Sequence, residues 1–259
     1  MNIHLMSSNI RFDNPSDTPN LWNVRKNILA SLYKKFNLDI LGTQEGRQGQ
    51  ILELASLLND FHLIDTHREW ITERMYPSLF IKKGRFDILD SGDIWLSETP
   101  EVKGSKSFDS TFPRLCTWAA LKDKTLGIEF LIANAHLDHI LKSTRLSQSR
   151  VLVNEIRNLT KLPIILLGDF NESPKTEVQQ LIKEELNLSD PWVHFNKKEE
   201  TSHHGFLGEE CLDGDRIDWI LIPKEFDCTA IDLIKEQGPN EIYPSDHYPL
   251  FATLIPKCR

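Results

Sequence analysis

The sequence predicts an α/β (α+β) fold in which two mixed, mostly antiparallel β-sheets pack face to face and helices cover the outer faces. Three observations support this prediction. Short apolar runs recur along the 259 residues, helical patterns separate some of them, and the runs between residues 78 and 135 follow one another directly. Because consecutive strands joined by short turns favour antiparallel pairing, the last observation argues against a doubly wound parallel sheet.

The predicted strands are apolar, alternating or β-branched runs bounded by Pro, Gly, Asn or Asp. In chain order they span residues 3–12, 38–42, 78–81, 86–96, 115–121, 128–135, 164–167, 217–222 and 250–255. Helices are predicted where apolar residues recur on one helical face, at residues 22–36, 47–58, 143–159 and 176–186.

Composition places the chain among ordinary globular proteins. The sequence holds 38 Asp and Glu against 30 Lys and Arg, a net charge of −8, and 40% of its residues are hydrophobic. This acidic balance argues against a protein that binds duplex DNA through general charge, since such proteins need an excess of Lys and Arg. No repeat or linker divides the chain, so we expect one domain over residues 1–259.

The sequence also bears on location. No stretch approaches the roughly 18 consecutive apolar residues of a membrane helix, and the first residues lack the basic and apolar regions of a signal peptide. The four cysteines are scattered and form no C-x-x-C pair. We therefore expect a cytoplasmic protein with reduced thiols and no membrane insertion, present as a monomer.

Polar side chains stand where apolar strands end or, in one case, inside a strand. In chain order they are Glu45, His136, Asp169, Asn171, Asp218, Asp246 and His247. Each has a plain structural explanation. An Asp or Asn after a strand commonly forms a turn, Glu45 would interact favourably with the dipole of the helix that follows it, and Asp218 would pair with Arg216. Taken singly, none of these residues predicts a function.

Taken together and in order, these residues resemble the endonuclease/exonuclease/phosphatase superfamily of magnesium-dependent phosphoesterases. The resemblance rests on Ser8-Asn9-Ile10-Arg11, Thr43-Gln44-Glu45, Asn134-Ala135-His136-Leu137-Asp138, Gly168-Asp169-Phe170-Asn171, Arg216-Ile217-Asp218 and Ser245-Asp246-His247. It implies a four-layer α/β sandwich forming a single catalytic domain. Ala135 departs from the family, which usually has Thr or Ser before this His, but no ligand is lost.

The resemblance also implies a metal site. Glu45, Asp246 and Asn9 would hold Mg²⁺, with Mn²⁺ as an alternative, and carboxylate oxygens suit such a hard cation. The metal would polarise a phosphoryl oxygen and offset the charge that develops on it. Whether the site holds one metal or two stays open.

The catalytic roles implied by the resemblance concern a water molecule and a phosphoryl group. Asp218 would orient His247 to prepare the attacking water, while Asp169 lies near the nucleophile or the metal. His136 and Asn171 would donate hydrogen bonds to the phosphoryl oxygens. Which of Asp169 and His247 is the base stays open.

Four further residues are predicted to bind substrate: Arg114, Asp138, Arg145 and His204. A guanidinium can hold two phosphate oxygens at once, which favours Arg114 and Arg145, although pairing with a neighbouring acid explains either arginine equally well. Asp138 follows His136 in its motif. His204 lies in a long loop before the strand of Asp218, where it either binds substrate or forms a turn.

Residues 93–100, 104–108 and 112–115 resemble an insert of a compact bacterial branch, similar to the deadenylase and 2′-phosphodiesterase side of the family. This implies a phosphodiester substrate in a nucleotide, RNA or oligonucleotide end, with Trp70, Trp95 or Trp192 stacking on bases. The alternative is a phosphomonoesterase or phospholipase-type hydrolase acting on a sugar, inositol or lipid phosphate. A non-catalytic binding protein is disfavoured, because no catalytic position is substituted.

Overall fold

The computed structural model describes residues 2–211 and 214–257, so that Cys258 lies outside the described residues. The strands are β1 (Ile3–Asn9), β2 (Ile40–Arg47), β3 (Phe61–Leu63), β4 (Met75–Lys82), β5 (Phe86–Trp95), β6 (Leu115–Asp123), β7 (Ile128–His136), β8 (Ile164–Asp169), β9 (Leu188–Ser189), β10 (Asp218–Pro223), β11 (Phe226–Leu233) and β12 (Leu250–Pro256). The helices are α1 (Trp22–Lys35), α2 (Gln48–Leu57), α3 (Lys142–Leu159), α4 (Glu177–Leu186) and α5 (Pro191–His194), with short 3-10 helices at Pro15–Asp17, Gly208–Glu210 and Pro239–Glu241.

The strands form two six-stranded sheets, ordered β11-β12-β1-β2-β4-β3 and β5-β6-β7-β8-β10-β9. In each sheet the central pair is parallel, β1 with β2 and β7 with β8. The remaining pairings are antiparallel. The prediction of two mixed, mostly antiparallel sheets is therefore confirmed.

The two sheets bury a common apolar core between them. Leu5 and Ile40 of the first sheet and Ile132 and Leu167 of the second belong to one cluster and are fully buried. Removing this apolar surface from water is the main favourable contribution to folding. Face-to-face packing of the sheets, as predicted, follows from the shared cluster.

The helices cover the outer faces. Leu29 of α1 and Leu54 of α2 join a second apolar cluster with the outward-facing residues of β1 and β2. Leu152 of α3 and Ile182 of α4 pack in a third cluster against β7, β8 and β10. The result is the four-layer sandwich, and within the described ranges no helix is both long and apolar enough to cross a membrane.

The structure also contains strands that the sequence pattern does not indicate. β3 and β9 have three and two residues, too few to show a period. β11 lies at a sheet edge and carries a bulge between Cys228 and Ala230. A bulge shifts the alternation of buried and exposed side chains by one residue, which hides the period of two. At the other end of the chain, the strand predicted at 3–12 ends at Asn9, and Arg11 takes a positive φ of 54°.

Candidate active site

The sheet topology brings the ends of several strands to one edge of the sandwich. β1 ends at Asn9, beside Gln44 of β2, and β7 ends at His136, beside Asp169 of β8. β10 begins at the same place, with Asp218 opposite Asp169. Because parallel neighbours present their carboxyl ends at the same edge, side chains far apart in the sequence meet here.

A buried hydrogen-bond network joins the two sheets beneath this edge. Gln44 Nε2 donates to Asn134 Oδ1 at 2.7 Å and to Ser7 Oγ at 3.2 Å. Asn134 Nδ2 donates to the carbonyl oxygens of Thr43 and Ser78, both at 2.9 Å. Since buried polar groups require partners, this network fixes the spacing between β2 and β7.

Asp169 lies at the centre of the site and is 1% exposed. Its Oδ2 accepts a hydrogen bond from Asn9 Nδ2 at 2.9 Å, and its Oδ1 accepts one from the backbone N–H of Asn171 at 2.9 Å. Burial, together with the neighbouring Asp218 carboxylate, raises the pKa of Asp169 to about 7. The ionised form of Asp169 is therefore disfavoured unless a cation lies nearby.

Gly168 allows β7 and β8 to approach closely at this point. It has a φ of +150°, and a Cβ added to it would lie 2.0 Å from the carbonyl oxygen of Ala135. Only glycine fits both the conformation and the space. As a result, His136 and Asp169 are neighbours, with 3.6 Å between His136 Nε2 and Asp169 Oδ2.

His247 and Asp218 form a buried pair, with 2.8 Å between His247 Nδ1 and Asp218 Oδ2. Burial alone would disfavour the imidazolium, but Asp218, Asp169 and Asp246 raise the pKa of His247 to about 10. His247 Nε2 lies 3.9 Å from Asp169 Oδ2. A protonated histidine thus stands beside a carboxyl group that titrates near neutrality, an arrangement suited to proton transfer.

In the described part of the chain, three overlapping groups of side chains place possible metal ligand atoms within 4.8 Å of one another. They are Glu45, His136 and Asp169; Asp169, Asp218 and His247; and His203, Asp246 and His247. Carboxylate oxygens of this kind are the ligands that Mg²⁺ prefers. Asp169 and Asp218 repel each other when both are ionised, and a bound cation would offset their combined negative charge. The residues present therefore fit a divalent metal.

Asn9 and Asp246, both predicted metal ligands, have protein partners. Asn9 Oδ1 accepts the backbone N–H of Arg11 at 2.9 Å, so the amide is fixed between Arg11 and Asp169. Asp246 Oδ2 lies 3.6 Å from Arg11 Nη1 and 3.7 Å from His203 Nε2. Burial opposes ionisation of Asp246, but His203, His247 and Arg11 hold its pKa below the usual range. Metal ligation by these two residues stays a prediction.

Arg114 is a buried cation beside His136. It is 5% exposed, its Nη1 lies 3.0 Å from each ring nitrogen of His136, and its Nη2 lies 3.1 Å from His139 Nδ1. Among residues 2–211 and 214–257, its Nε has no hydrogen-bond partner and no carboxylate pairs with it. Burial and the charge of Arg114 hold the pKa of His136 well below its usual value, so His136 is neutral. The unmatched guanidinium fits an anionic ligand.

Arg145 and Asp138 are engaged with the protein. Arg145 Nε donates to Glu172 Oε2 at 2.6 Å, which is the pairing with a neighbouring acid that the sequence left open. The Asp138 carboxylate accepts the backbone N–H groups of Ile140 and Leu141 at 2.8 and 3.0 Å and is 1% exposed. It thereby holds the start of α3 in place, and substrate binding by either residue stays a prediction.

The structure does not bring His204 to the opening of the site. Its ring stacks on Tyr248 with 4.0 Å between ring centroids, and its Nδ1 accepts the backbone N–H of Gly208. Burial lowers the pKa of His204 to about 4. The preceding residue, His203, occupies that position instead, with its side chain 51% exposed and its ring centroid 4.8 Å from that of His247.

Two of the three tryptophans predicted to stack on bases do not line an open surface. Trp95 and Trp192 are 5% and 1% exposed and belong to apolar clusters, which corrects their assignment. Trp70 packs edge-on against Tyr76, with 4.9 Å between ring centroids. A tryptophan that fills a core cannot be told from a stacking platform by residue type alone.

Arg25 is a site-supporting residue that sequence reasoning missed. It lies in α1, where an arginine is usually solvated, yet it is fully buried. Its guanidinium donates to the carbonyl oxygens of Ile10 and Pro244 at 2.7 and 3.0 Å and of Arg11 at 3.2 Å. Its charged end also faces the ring of Phe206 at 5.6 Å. One buried cation thus contacts the three loops that carry Arg11, Asp246 and His203.

Comparison with known proteins yields both a family and individual relatives. The Endonuclease/Exonuclease/phosphatase family profile matches residues 6–247. A structure from Bacteroides thetaiotaomicron, described as an endonuclease/exonuclease/phosphatase family protein, is 28% identical with a TM-score of 0.89 and covers 100% of this chain and 99% of that chain. A mannosyl-6-phosphatase of the same organism is 28% identical with a TM-score of 0.88, covering 98% and 99%.

Human nocturnin is 27% identical over 190 residues, which are 67% of this chain and 42% of nocturnin. The chain thus spans less than half the length of the curated nocturnins that it matches. The profile match, in contrast, runs over nearly the whole chain and includes every motif that forms the site. The chain belongs to the endonuclease/exonuclease/phosphatase family, whose members are hydrolases acting on phosphoester bonds.

Proposed function

We propose that this protein hydrolyses phosphate esters with the help of a divalent cation, by attack of a water molecule held between Asp169 and His247. The observation that carries the proposal is the position of Asp169 Oδ2, 3.6 Å from His136 Nε2 and 3.9 Å from His247 Nε2. One carboxylate oxygen thus faces two imidazoles that differ in protonation, since His136 is neutral and His247 is charged. Such groups can hydrogen-bond to a water molecule and to a phosphoryl oxygen bound beside them.

Glu45 and Asp169 would hold the cation, Mg²⁺ or Mn²⁺, because both are hard oxygen donors at the same edge of the sandwich. When bound, it would stabilise the negative charge that develops on the phosphoryl oxygens. The N–H groups of Asn9 and Asn171 orient Asp169 for its role. Asp246, held by Arg11 and His203, is the candidate for a further ligand.

The proton is proposed to move from the attacking water to Asp169, whose carboxylate would be kept ionised by the cation and lies 3.9 Å from His247 Nε2. His247, kept protonated by Asp218, would donate a hydrogen bond to a phosphoryl oxygen. Arg114 lies beside His136 without a carboxylate partner, which supports a role in binding the phosphate. The Asn171 side chain completes the predicted set of donors.

For the substrate, we favour a phosphorylated small molecule of the sugar phosphate kind over the phosphodiester that the family branch suggests. The likeness to a mannosyl-6-phosphatase, which is 28% identical over 98% of this chain, supports this choice, whereas nocturnin is 27% identical over 67% of this chain. Nucleotide and RNA-end phosphodiesters remain the second candidate. A single catalytic domain over residues 1–259 and a cytoplasmic monomer complete the proposal.

A substrate panel tests the proposal. Mannose 6-phosphate, inositol phosphate, single-stranded RNA, a cyclic dinucleotide, duplex DNA and a phospholipid are each incubated with Mg²⁺ and with a chelator. We expect phosphate release from the sugar phosphate in Mg²⁺ and none in chelator. Cleavage of diesters alone would overturn the substrate class, and turnover that persists in chelator would overturn metal dependence.

A further inference from the structure

Four exposed side chains, mostly apolar, form a surface beside the active site, which we call the aromatic rim: Phe112, His139, Ile140 and Leu141. Phe112, Ile140 and Leu141 are 39%, 56% and 42% exposed. The rings of Phe112 and His139 lie nearly parallel, with 6.0 Å between centroids and 21° between planes. Single exposed apolar residues are common, but a set carried by two joined loops beside a reaction centre indicates a binding surface.

The rim is built on two loops that hydrogen bonds hold together. Ser110 Oγ lies 2.7 Å from the Phe112 carbonyl oxygen and 3.1 Å from Asp138 Oδ2. Asp138 also accepts the backbone N–H groups of Ile140 and Leu141. The buried Asp138 thus fixes both halves of the rim, so this surface is preorganised for a ligand.

Arg114 connects the rim to the reaction centre. Its Nη2 contacts His139 Nδ1 at 3.1 Å, and its Nη1 contacts the ring of His136 at 3.0 Å. His136 in turn belongs to one group of possible metal ligands with Glu45 and Asp169, which places the rim beside the proposed metal ligands. A phosphate bound at Arg114 would therefore carry its organic group against the rim.

A second group of side chains at the site has a different character. There Arg11 Nη1 and Nε2 of the half-exposed His203 lie 3.6 and 3.7 Å from Oδ2 of the buried Asp246, so this group is polar. An aromatic ring with an imidazole beside it suits the face of a cyclic group that carries polar substituents, because apolar C–H groups pack on the ring while hydroxyl or amine groups reach the imidazole. The rim and this polar group thus differ in what they bind.

Resting on the proposed phosphoesterase function, we propose that the aromatic rim binds the ring of the phosphorylated substrate, a sugar or a nucleobase, while Arg114 binds the phosphate. Phe112 provides the face on which the ring packs. The rim then selects phosphate esters whose organic group is a ring over inorganic phosphate and over esters whose organic group is an open chain. Phe112 thus contributes to affinity for the ring, and Arg114 contributes to affinity for the phosphate.

The test compares Phe112→Ala with Val193→Ala, which removes an apolar side chain that is 45% exposed on α5, away from the rim. Calorimetry in Mg²⁺, with Asp169→Asn added to each protein to prevent turnover, measures the Kd of mannose 6-phosphate, adenosine 5′-monophosphate, glycerol phosphate and inorganic phosphate. Phosphate release by the same proteins without Asp169→Asn gives KM and kcat. We expect Phe112→Ala to raise the Kd and KM of one ring ester about fivefold or more. In Phe112→Ala, the Kd of inorganic phosphate, the Kd of glycerol phosphate and kcat should stay within about twofold of wild type. Val193→Ala should change none of these constants, and Phe112→Trp should restore binding of the ring ester.

The two ring esters distinguish a sugar from a base as the bound group. An equal loss for ring esters and inorganic phosphate, or no loss at all, would overturn the rim proposal. Binding by calorimetry does not depend on turnover. A wild-type protein that binds the ring ester through Phe112 but releases no phosphate from any ester would therefore contradict the proposed function alone.

Discussion

Asp169 and His247 share one buried space, and each shifts the protonation of the other. The carboxyl group of Asp169 keeps its proton to about pH 7 because burial and Asp218 disfavour its charge, while the carboxylates around His247 keep that ring charged to about pH 10. Between these values the pair holds an ionised base and a protonated donor. The site therefore has its active protonation state at neutral and mildly alkaline pH.

This pair predicts a bell-shaped dependence of kcat/KM on pH. Activity rises as Asp169 loses its proton, at or below about pH 7 when Mg²⁺ is bound, and falls as His247 loses its proton towards pH 10. Asp218→Asn removes the carboxylate that raises the pKa of His247, so the alkaline limb moves to lower pH. Because both proteins act on the same ester, ionisation of the substrate affects the two pH profiles equally. An alkaline limb that did not move in Asp218→Asn would contradict the pairing of Asp218 with His247.

At the scale of residues, the sequence predicts which side chains meet at the site better than it predicts what surrounds each of them. Glu45, His136, Asp169, Asp218 and His247 meet at one edge because their motifs lie at or near the ends of buried strands. Which of two adjacent histidines faces the site depends on the path of a loop, and a bridge between His203 and His247 sets that path. The sequence around His203 and His204 does not indicate which of the two faces the site.

At the scale of elements, α1 supports the site through Arg25 rather than through its apolar face alone. The guanidinium donates hydrogen bonds to carbonyl groups in the loops after β1 and before β12. Carbonyl groups bonded to a charged donor are held more firmly than those bonded to neutral donors. The loops that carry Arg11 and Asp246 are thereby fixed relative to one another.

We expect Arg25→Met to lower kcat/KM by about tenfold or more and to raise the Mg²⁺ concentration needed for half activity, since three loops lose a common partner. Arg25→Lys, which keeps the charge but reaches fewer carbonyl groups, should fall between Met and wild type. Arg85→Met is the matched control. Arg85 pairs with Asp39 and Asp123, near the ends of the strands opposite to the site.

The control variant should lose stability and keep its activity per folded molecule. Thermal unfolding of each variant separates a loss of fold from a loss of positioning. If Arg25→Met kept wild-type kcat/KM and Mg²⁺ dependence in its folded fraction, Arg25 would be no more than a stabilising residue. The same reasoning explains why Arg25 escapes prediction, because a helical arginine gives no sequence signal of burial.

Strands and helices with a strong period are predictable in this chain, and their ends are less so. The helix expected at 47–58 begins at Gln48, because Arg47 still pairs with Met75 in β2 and β4. The edge strand β11 is hidden by its bulge. Pairing across a sheet is a tertiary property, so local pattern cannot fix where a strand stops.

For the whole molecule, the net charge of −8 is unevenly distributed. Glu45, Asp169, Asp218 and Asp246 converge on one edge, where a divalent cation would offset part of their charge. Asp138, also acidic, is instead satisfied by hydrogen bonds around the start of α3. The acidic balance therefore reflects a site built for a cation as well as the surface of the protein.

Phosphate release in Mg²⁺ by wild type, Asp169→Ala and His247→Ala, on the ester that the panel shows to be preferred, decides whether these residues form the active site. Asp87→Asn, which removes an exposed carboxylate near the opposite end of β5, is the control. We predict that wild type and control turn over equally and that each site variant loses about 10²-fold to 10⁴-fold or more in kcat with its unfolding temperature nearly unchanged. Undiminished turnover by either purified site variant would contradict the assignment of the active site.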